Sequence, residues 1–341
     1  MDSLYLLYGQ ETYLLEDFIK KIKKSFDKLV EGINYIKIDE TNINQLISNI
    51  ETPCFGFDRK LIMVKEANIF KKEGKRKNTA TSAISDKIAE YISNNIDNVK
   101  QDNVIVFIET EVEKNKLYKV IEEFGKVVNF EPEKLPSLIK RIRAISSAYK
   151  VEISDYDAQY LVECCGTNLQ DIINELRKLI EYAGQGGKIT KQDIDSLTIK
   201  QIDSVIFDLT DNLGKKDIKK AMDVFYNLIY QKEPVQRILI TLYNHFKKLY
   251  FVKCCLSNNE NIAESLKLKP NQTFLVNKYR TQSGYFKELE LRKILEELSD
   301  LDYNYKIGLI DLNVGIEAVL CRYCGKWFCK WKLFYGFHKN I

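Results

Sequence analysis

The stretch after the opening apolar run is the first place where residue types and spacing could do chemistry. Leu4-Tyr5-Leu6-Leu7-Tyr8 leads into Gly9-Gln10-Glu11-Thr12-Tyr13-Leu14-Leu15. A phosphate loop here needs G-x-x-x-x-G-K-[ST]. Its glycines let backbone N–H groups cradle phosphate, its lysine reaches the terminal phosphates, and its hydroxyl holds the metal. This stretch has one glycine and no lysine. Gly187-Lys188 and Gly214-Lys215 are followed by Ile189 and Lys216, and neither has a glycine five residues earlier. The apolar run Val104-Ile105-Val106-Phe107-Ile108 ends in a lone Glu109, where an active ATPase usually shows a metal-holding acidic pair. The pattern of a nucleotide-binding α/β fold is present without the nucleotide chemistry, and no cofactor is expected.

Nucleophilic and metal chemistry fare no better. The two histidines are His245 and His338, so a Cys/His or Ser/His/Asp site would have to use one of them. His245 lies on a helical pattern, Leu242-Tyr-Asn-His-Phe-Lys-Lys, where a structural or surface role is expected. Cys321-x2-Cys324-Gly325 has the spacing of half a zinc knuckle, which Cys329 and His338 would complete. The same cysteines also continue the helical pattern of Val319-Leu320, where Cys acts as a small apolar residue. Packing is therefore the expected reading, with no metal. Carboxylates are scattered at helix starts, where capping explains them. No catalytic residue is expected.

Several elements must position whatever the chain does. Apolar runs at Leu4–Tyr8, Ile33–Ile38, Leu61–Val64, Val104–Ile108 and Lys126–Phe130 read as strands. Helical patterns lie between them, including one with Leu14, Leu15, Phe18, Ile19, Ile22 and Phe26 on one face. Strands separated by helices imply parallel βαβ units, and the fourth run, apolar throughout, should be central. Ile43–Ile50 reads as a short helix stopped by Thr52-Pro53. Lys71, Lys72, Lys75, Arg76 and Lys77 mark a basic, turn-rich surface loop whose sharper reading is contact with phosphate. After Pro132 and Pro136 strand patterns are expected to cease. Helix starts at Ser154-Asp-Tyr-Asp157, Asn168-Leu-Gln-Asp171 and Thr190-Lys-Gln-Asp193 each place a capping oxygen three residues before an acid. From Ile202 the pattern stays helical, with helices expected from Pro234, over Leu289–Tyr305, and over Ile307–Cys321. The expected architecture is an α/β domain (1–135) with a parallel sheet, a small helical domain (136–203), an all-α bundle (204–324) and a basic-aromatic tail (325–341).

Composition agrees with a chain of two or three domains. The 341 residues carry 52 Lys+Arg against 48 Asp+Glu, with 45% hydrophobic and 29% charged residues. This excludes collagen-like, disulfide-scaffold and disordered classes. Five of the basic residues and no acid fall in Cys321–Ile341, so the body is electrically balanced. Any nucleic-acid contact by the body must come from a local patch. No basic leader precedes the first strand, no window reaches 18 apolar residues, and the eight cysteines include adjacent pairs on helical patterns. A reduced, cytoplasmic protein without a membrane span is expected.

Five segments, in order, resemble the delta subunit of bacterial DNA polymerase III. They are Tyr5-Leu-Leu-Tyr-Gly-Gln-Glu-Thr-Tyr-Leu-Leu15, and Thr52-Pro-Cys-Phe-Gly-Phe-Asp-Arg-Lys-Leu-Ile62. The third is Tyr160-Leu-Val-Glu-Cys-Cys-Gly-Thr-Asn-Leu169 with Asn174-Glu-Leu-Arg-Lys-Leu179. The last two are Val205-Ile-Phe-Asp-Leu209 and Asp300-Leu-Asp-Tyr-Asn-Tyr-Lys306. The resemblance runs to about residue 324. It implies a degenerate ATPase-type domain, a helical lid and a helical collar in a clamp loader. It implies binding to the sliding clamp (the beta subunit), whose ring is held open for loading onto primed DNA without ATP hydrolysis. The implied partners also include the delta prime and tau/gamma subunits. Nucleotidyl transfer would attach to this chain only through membership of the holoenzyme. The clamp-contacting tip implied is Pro53-Cys54-Phe55-Gly56-Phe57, with Cys54 where relatives carry a larger apolar residue. The competing expectation is a DNA-binding protein that uses the Lys71–Lys77 loop together with the C-terminal tail; over Cys321–Ile341, Tyr323, Trp327, Phe328, Trp331, Phe334, Tyr335 and Phe337 are interleaved with basic residues.

Overall fold

The computed structural model describes residues 2–70 and 79–324. The chain divides into two compact units between Pro132 and Glu133.

The first unit runs β1 (Leu4–Tyr8), α1 (Thr12–Lys24), β2 (Tyr35–Ile38), α2 (Leu46–Glu51), β3 (Lys60–Lys65), α3 (Thr79–Asn94), α4 (Ile96–Asp102), β4 (Asn103–Glu109), α5 (Lys116–Phe124) and β5 (Lys126–Asn129). All its strand pairs are parallel, in the order β2-β3-β4-β1-β5. The run that is apolar throughout is the middle strand, and every residue of β4 is buried. Alternation along the strands divides the core between two faces. Leu4, Leu6, Ile62, Val64, Ile105 and Phe107 pack with Ile88, Ile92, Leu117 and Ile121 of α3 and α5. Tyr5, Leu7, Leu61, Met63, Val104 and Val106 face Leu15 and Ile22 of α1. The strand expected from Ile33 begins only at Tyr35. Buried Asn34 closes a turn instead, donating to the Lys28 carbonyl (2.7 Å) and accepting from the Val30 N–H (2.7 Å).

The second unit begins with α6 (Leu135–Ala148), β6 (Glu152–Ile153), α7 (Asp155–Cys165), α8 (Leu169–Ala183), β7 (Lys188–Ile189) and α9 (Lys191–Leu197). Strands therefore do not cease after Pro136. Glu152-Ile153 and Lys188-Ile189 form a two-stranded parallel ladder, too short for periodicity to show. The three capping sites behave as their sequences predict. Ser154 accepts from the Asp157 N–H, Asn168 from Gln170 and Asp171, and Thr190 forms a full capping box with Asp193.

The bundle follows as α10 (Ile202–Gly214), α11 (Ile218–Tyr230), α12 (Val235–Asn258), α13 (Ile262–Ser265), α14 (Leu275–Gly284), α15 (Glu288–Lys306) and α16 (Leu312–Cys324). Its core collects Ile206, Leu209, Phe225, Leu242, Phe246, Leu249, Ile294, Leu298 and Ile316. The last helix starts at Leu312, not Ile307, for two local reasons. Gly308 takes φ +77°, and the Asp311 carboxylate accepts from the N–H groups of Asn313 and Val314. Within this unit, Tyr160 on α7 donates to Asp195 on α9 (2.6 Å). Lys200, just before α10, donates to Tyr160 Oη (3.1 Å) and pairs with Asp195 (2.9 Å).

Candidate protein-contacting tip

The segment between α2 and β3 presents an aromatic side chain to solvent on a braced base. Helix α2 stops because Thr52 turns extended (φ −66°, ψ 124°) and Pro53 supplies no N–H to continue the ladder. Thr52 Oγ1 closes the end by donating to the Ser48 carbonyl (2.7 Å). The chain then reverses at Phe55-Gly56. Gly56 adopts φ +76°, which a side-chain-bearing residue disfavours, although its surroundings are open. Phe55 is 77% exposed, while Cys54 and Phe57 are half-buried and Pro53 is exposed. Burial pushes the Cys54 thiol pKa up, so it stays a neutral thiol at pH 7.

The base of the tip is polar, and its two cations are hydrogen-bonded within it. Lys60, the first residue of β3, is only 2% exposed. Its Nζ donates to the carbonyls of Asn49 (2.7 Å) and Thr52 (2.5 Å). Burial lowers the Lys60 pKa, with Cys54 and Asp102 acting in the opposite sense. Arg59 donates to Ser3 Oγ (2.7 Å), and Ser3 Oγ donates to the Lys100 carbonyl (3.0 Å). Asn103, opposite Lys60 in the β3–β4 register, donates to the Ile50 carbonyl at 3.4 Å. Sequence reasoning missed Lys60 as a site residue because a lysine beside an apolar run reads as solvated. The available signal was its place at a strand start directly after a turn.

The place where a phosphate loop would lie is otherwise engaged. The Phe130 N–H donates to the Tyr8 carbonyl (2.7 Å), and the Glu11 N–H donates to the Phe130 carbonyl (2.9 Å). A Cβ on Gly9 would stand 2.2 Å from the Phe130 carbonyl oxygen. Glu11 itself is buried at the start of α1. Glu109, at the end of β4, is buried and accepts from the Asn68 N–H (3.1 Å).

The remaining candidates are dispersed. Cys321 and Cys324 lie on α16, half-buried and buried, and burial raises both thiol pKa values. No group of three or more His, Cys, Asp or Glu residues with a metal-holding arrangement occurs among the described residues. His245 is buried in the bundle, with Nε2 2.8 Å from Gln282 Oε1. Gln282 Nε2 donates to the Phe207 carbonyl, so its Oε1 faces the imidazole, and His245 Nε2 carries the proton in the assigned network. Burial pushes the His245 pKa down to about 4. Its role is in packing. Lys71, Lys72, Lys75, Arg76, Lys77, Cys329, His338 and the tail 325–341 lie outside the described residues.

The class defined by these observations is a parallel α/β unit with an aromatic turn before its third strand, followed by a predominantly helical unit with a large bundle. The family profile described as "DNA polymerase III, delta subunit" matches residues 5–131, and that of "DNA polymerase III delta subunit, C-terminal domain" matches 203–323. The chain belongs to the DNA polymerase III delta subunit family. It is 26% identical over 326 residues to the DNA polymerase III subunit delta of Bacillus subtilis (strain 168), covering 93% of this chain and 91% of that protein. It is 24% identical over 328 residues to the probable DNA polymerase III subunit delta of Aquifex aeolicus (strain VF5), covering 91% and 88%. The solved structure of the Bacillus subtilis DNA clamp loader delta protein (YqeN) superposes with a TM-score of 0.71 at 24% identity, covering 96% of each chain. That likeness extends the shared fold across both units.

Proposed function

We propose that this chain is the clamp-contacting subunit of a clamp loader. In this reading it holds one interface of a ring-shaped sliding clamp open for loading onto primed DNA, without hydrolysing ATP itself. The observation that carries the proposal is Phe55, largely exposed at the Gly56 turn on a base tied together by buried Lys60. An exposed aromatic on an ordered turn is the kind of residue that anchors a protein interface, because it fills a pocket at little conformational cost. Pro53, Cys54, Phe55, Gly56 and Phe57 form the contact, with Phe55 entering the clamp. Half-burial of Phe57 supports a role for it in seating the turn.

Opening requires differential affinity. A tip that binds open and closed rings equally shifts nothing, however tightly it binds. The open form must therefore gain contacts that the closed form lacks. Engagement of the Glu11 and Phe130 backbone groups with each other supports a chain that leaves hydrolysis to other subunits. Residues 136–203 serve as the lid and 204–324 as the collar that packs with delta prime and tau/gamma subunits. Contact with primed DNA occurs within that assembly, and the Lys71–Lys77 loop is the proposed point of contact. Among the described residues no helix is long and apolar enough to cross a membrane, which fits work in the cytoplasm.

The test is a titration of the full chain against the sliding clamp of the same organism, beside Phe55→Ala. Tight binding weakened tenfold or more by the substitution supports both role and tip. No binding to the clamp or to loader partners overturns the proposal. It would turn attention to DNA affinity that persists without partners and falls steeply with salt.

A further inference from the structure

Lys60 is a charged side chain in a place that charge disfavours. It stands at the start of an interior strand, almost fully buried, and burial lowers its pKa. Taking an ammonium out of water is costly, and a well-packed apolar side chain of similar volume is often as stable or more so. Its hydrogen bonds show what it does there. Asn49 lies in the last turn of α2, and Thr52 is the residue by which the chain leaves that helix. Both carbonyls accept from the same Nζ. Lys60 itself begins β3, where the chain re-enters the sheet. One ammonium thus ties the exit of the tip segment to its return. Its neighbours extend the brace: Asn103 donates to the Ile50 carbonyl, and Arg59, two residues past the tip, donates to Ser3 Oγ. The carbonyls at the end of α2 have no partners in their own helix, and cations suit that end.

We infer that Lys60 is a positioning residue for the tip, holding Thr52–Arg59 in the conformation that presents Phe55. The inference deepens the proposed clamp contact and rests on that reading for its consequence, although not for its geometry. A pre-ordered turn binds more tightly because ordering is not required at the moment of association. Loss of the ammonium unties the exit of the segment from its return while leaving Phe55 chemically intact.

The test uses the full chain with Lys60→Met, Phe55→Ala and the double variant. Two measurements are made: amide hydrogen exchange, and clamp affinity. Lys60→Met is expected to speed exchange at 50–52, whose amides close the end of α2, by tenfold or more while β1 and β4 keep their protection. It is expected to weaken clamp binding about tenfold when Phe55 is present and by less than twofold when Phe55 is Ala. A merely structural role would weaken both backgrounds equally, because it does not act through Phe55. Unchanged exchange at 50–52, exchange raised throughout the sheet, or equal losses in both backgrounds would each overturn the inference. If the wild-type chain does not bind the clamp at all, the functional proposal fails. The exchange result alone then decides whether Lys60 positions the tip.

Discussion

Phe55→Ala is the perturbation whose size the structure constrains best. A phenylalanine side chain offers ~200 Å² for burial. At 77% exposure, ~150 Å² of it remains free to be covered by a partner. Truncation to Ala removes ~100 Å² of that contact, which at ~25 cal/mol per Å² is ~2.5 kcal/mol, or ~60-fold in affinity. Imperfect covering and side-chain ordering reduce the figure, so a loss between ~10-fold and ~60-fold is expected. Because Phe55 makes little use of its own chain for burial, the folded state should hardly change. The assay is isothermal titration of the full chain into the sliding clamp, with denaturant unfolding of both proteins as a control. A loss smaller than ~3-fold would refute the argument from exposure. Tight binding indifferent to Phe55 but lost in Phe57→Ala would move the contact to the half-buried ring.

Three further outcomes follow from the packing. The folded His245 stays neutral down to about pH 4, whereas an unfolded histidine protonates near 6.5. The unfolded state binds more protons between these values, so stability falls as pH drops through that window. Wild type should lose about 3 kcal/mol more than His245→Asn between pH 7 and pH 4, read as the difference in urea unfolding of the helical unit. Gly9→Ala should destabilise the α/β unit by more than ~2 kcal/mol, because φ is +126° and the new Cβ meets the Phe130 carbonyl at 2.2 Å. Unaltered denaturant midpoints would refute this. Thr190→Ala removes the capping box of α9 and should cost ~1 kcal/mol, seen as faster amide exchange over 191–197 and an earlier unfolding midpoint.

The local order of elements was set by the chain itself. The five apolar runs became five strands, and the most uniformly apolar of them became the middle strand, because only a strand covered on both faces tolerates that composition. The caps at Ser154, Asn168 and Thr190 were legible because each is decided within four residues. Gly56 marked the turn because few other residues accept its backbone angles. The β6–β7 ladder was not legible, since two-residue strands carry no period. The exposures of Phe55 and Phe57 were decided by tertiary structure, because two aromatics two residues apart look alike in sequence. Lys60 is the sharpest case. Nothing local distinguishes a solvated lysine from a buried one, and its partners, the carbonyls of Asn49 and Thr52, come within reach only when α2 packs against the sheet beside β3. Periodicity and capping act over a few residues and can be read from the chain. Burial and the pairing of a buried charge depend on which distant segments the fold brings together.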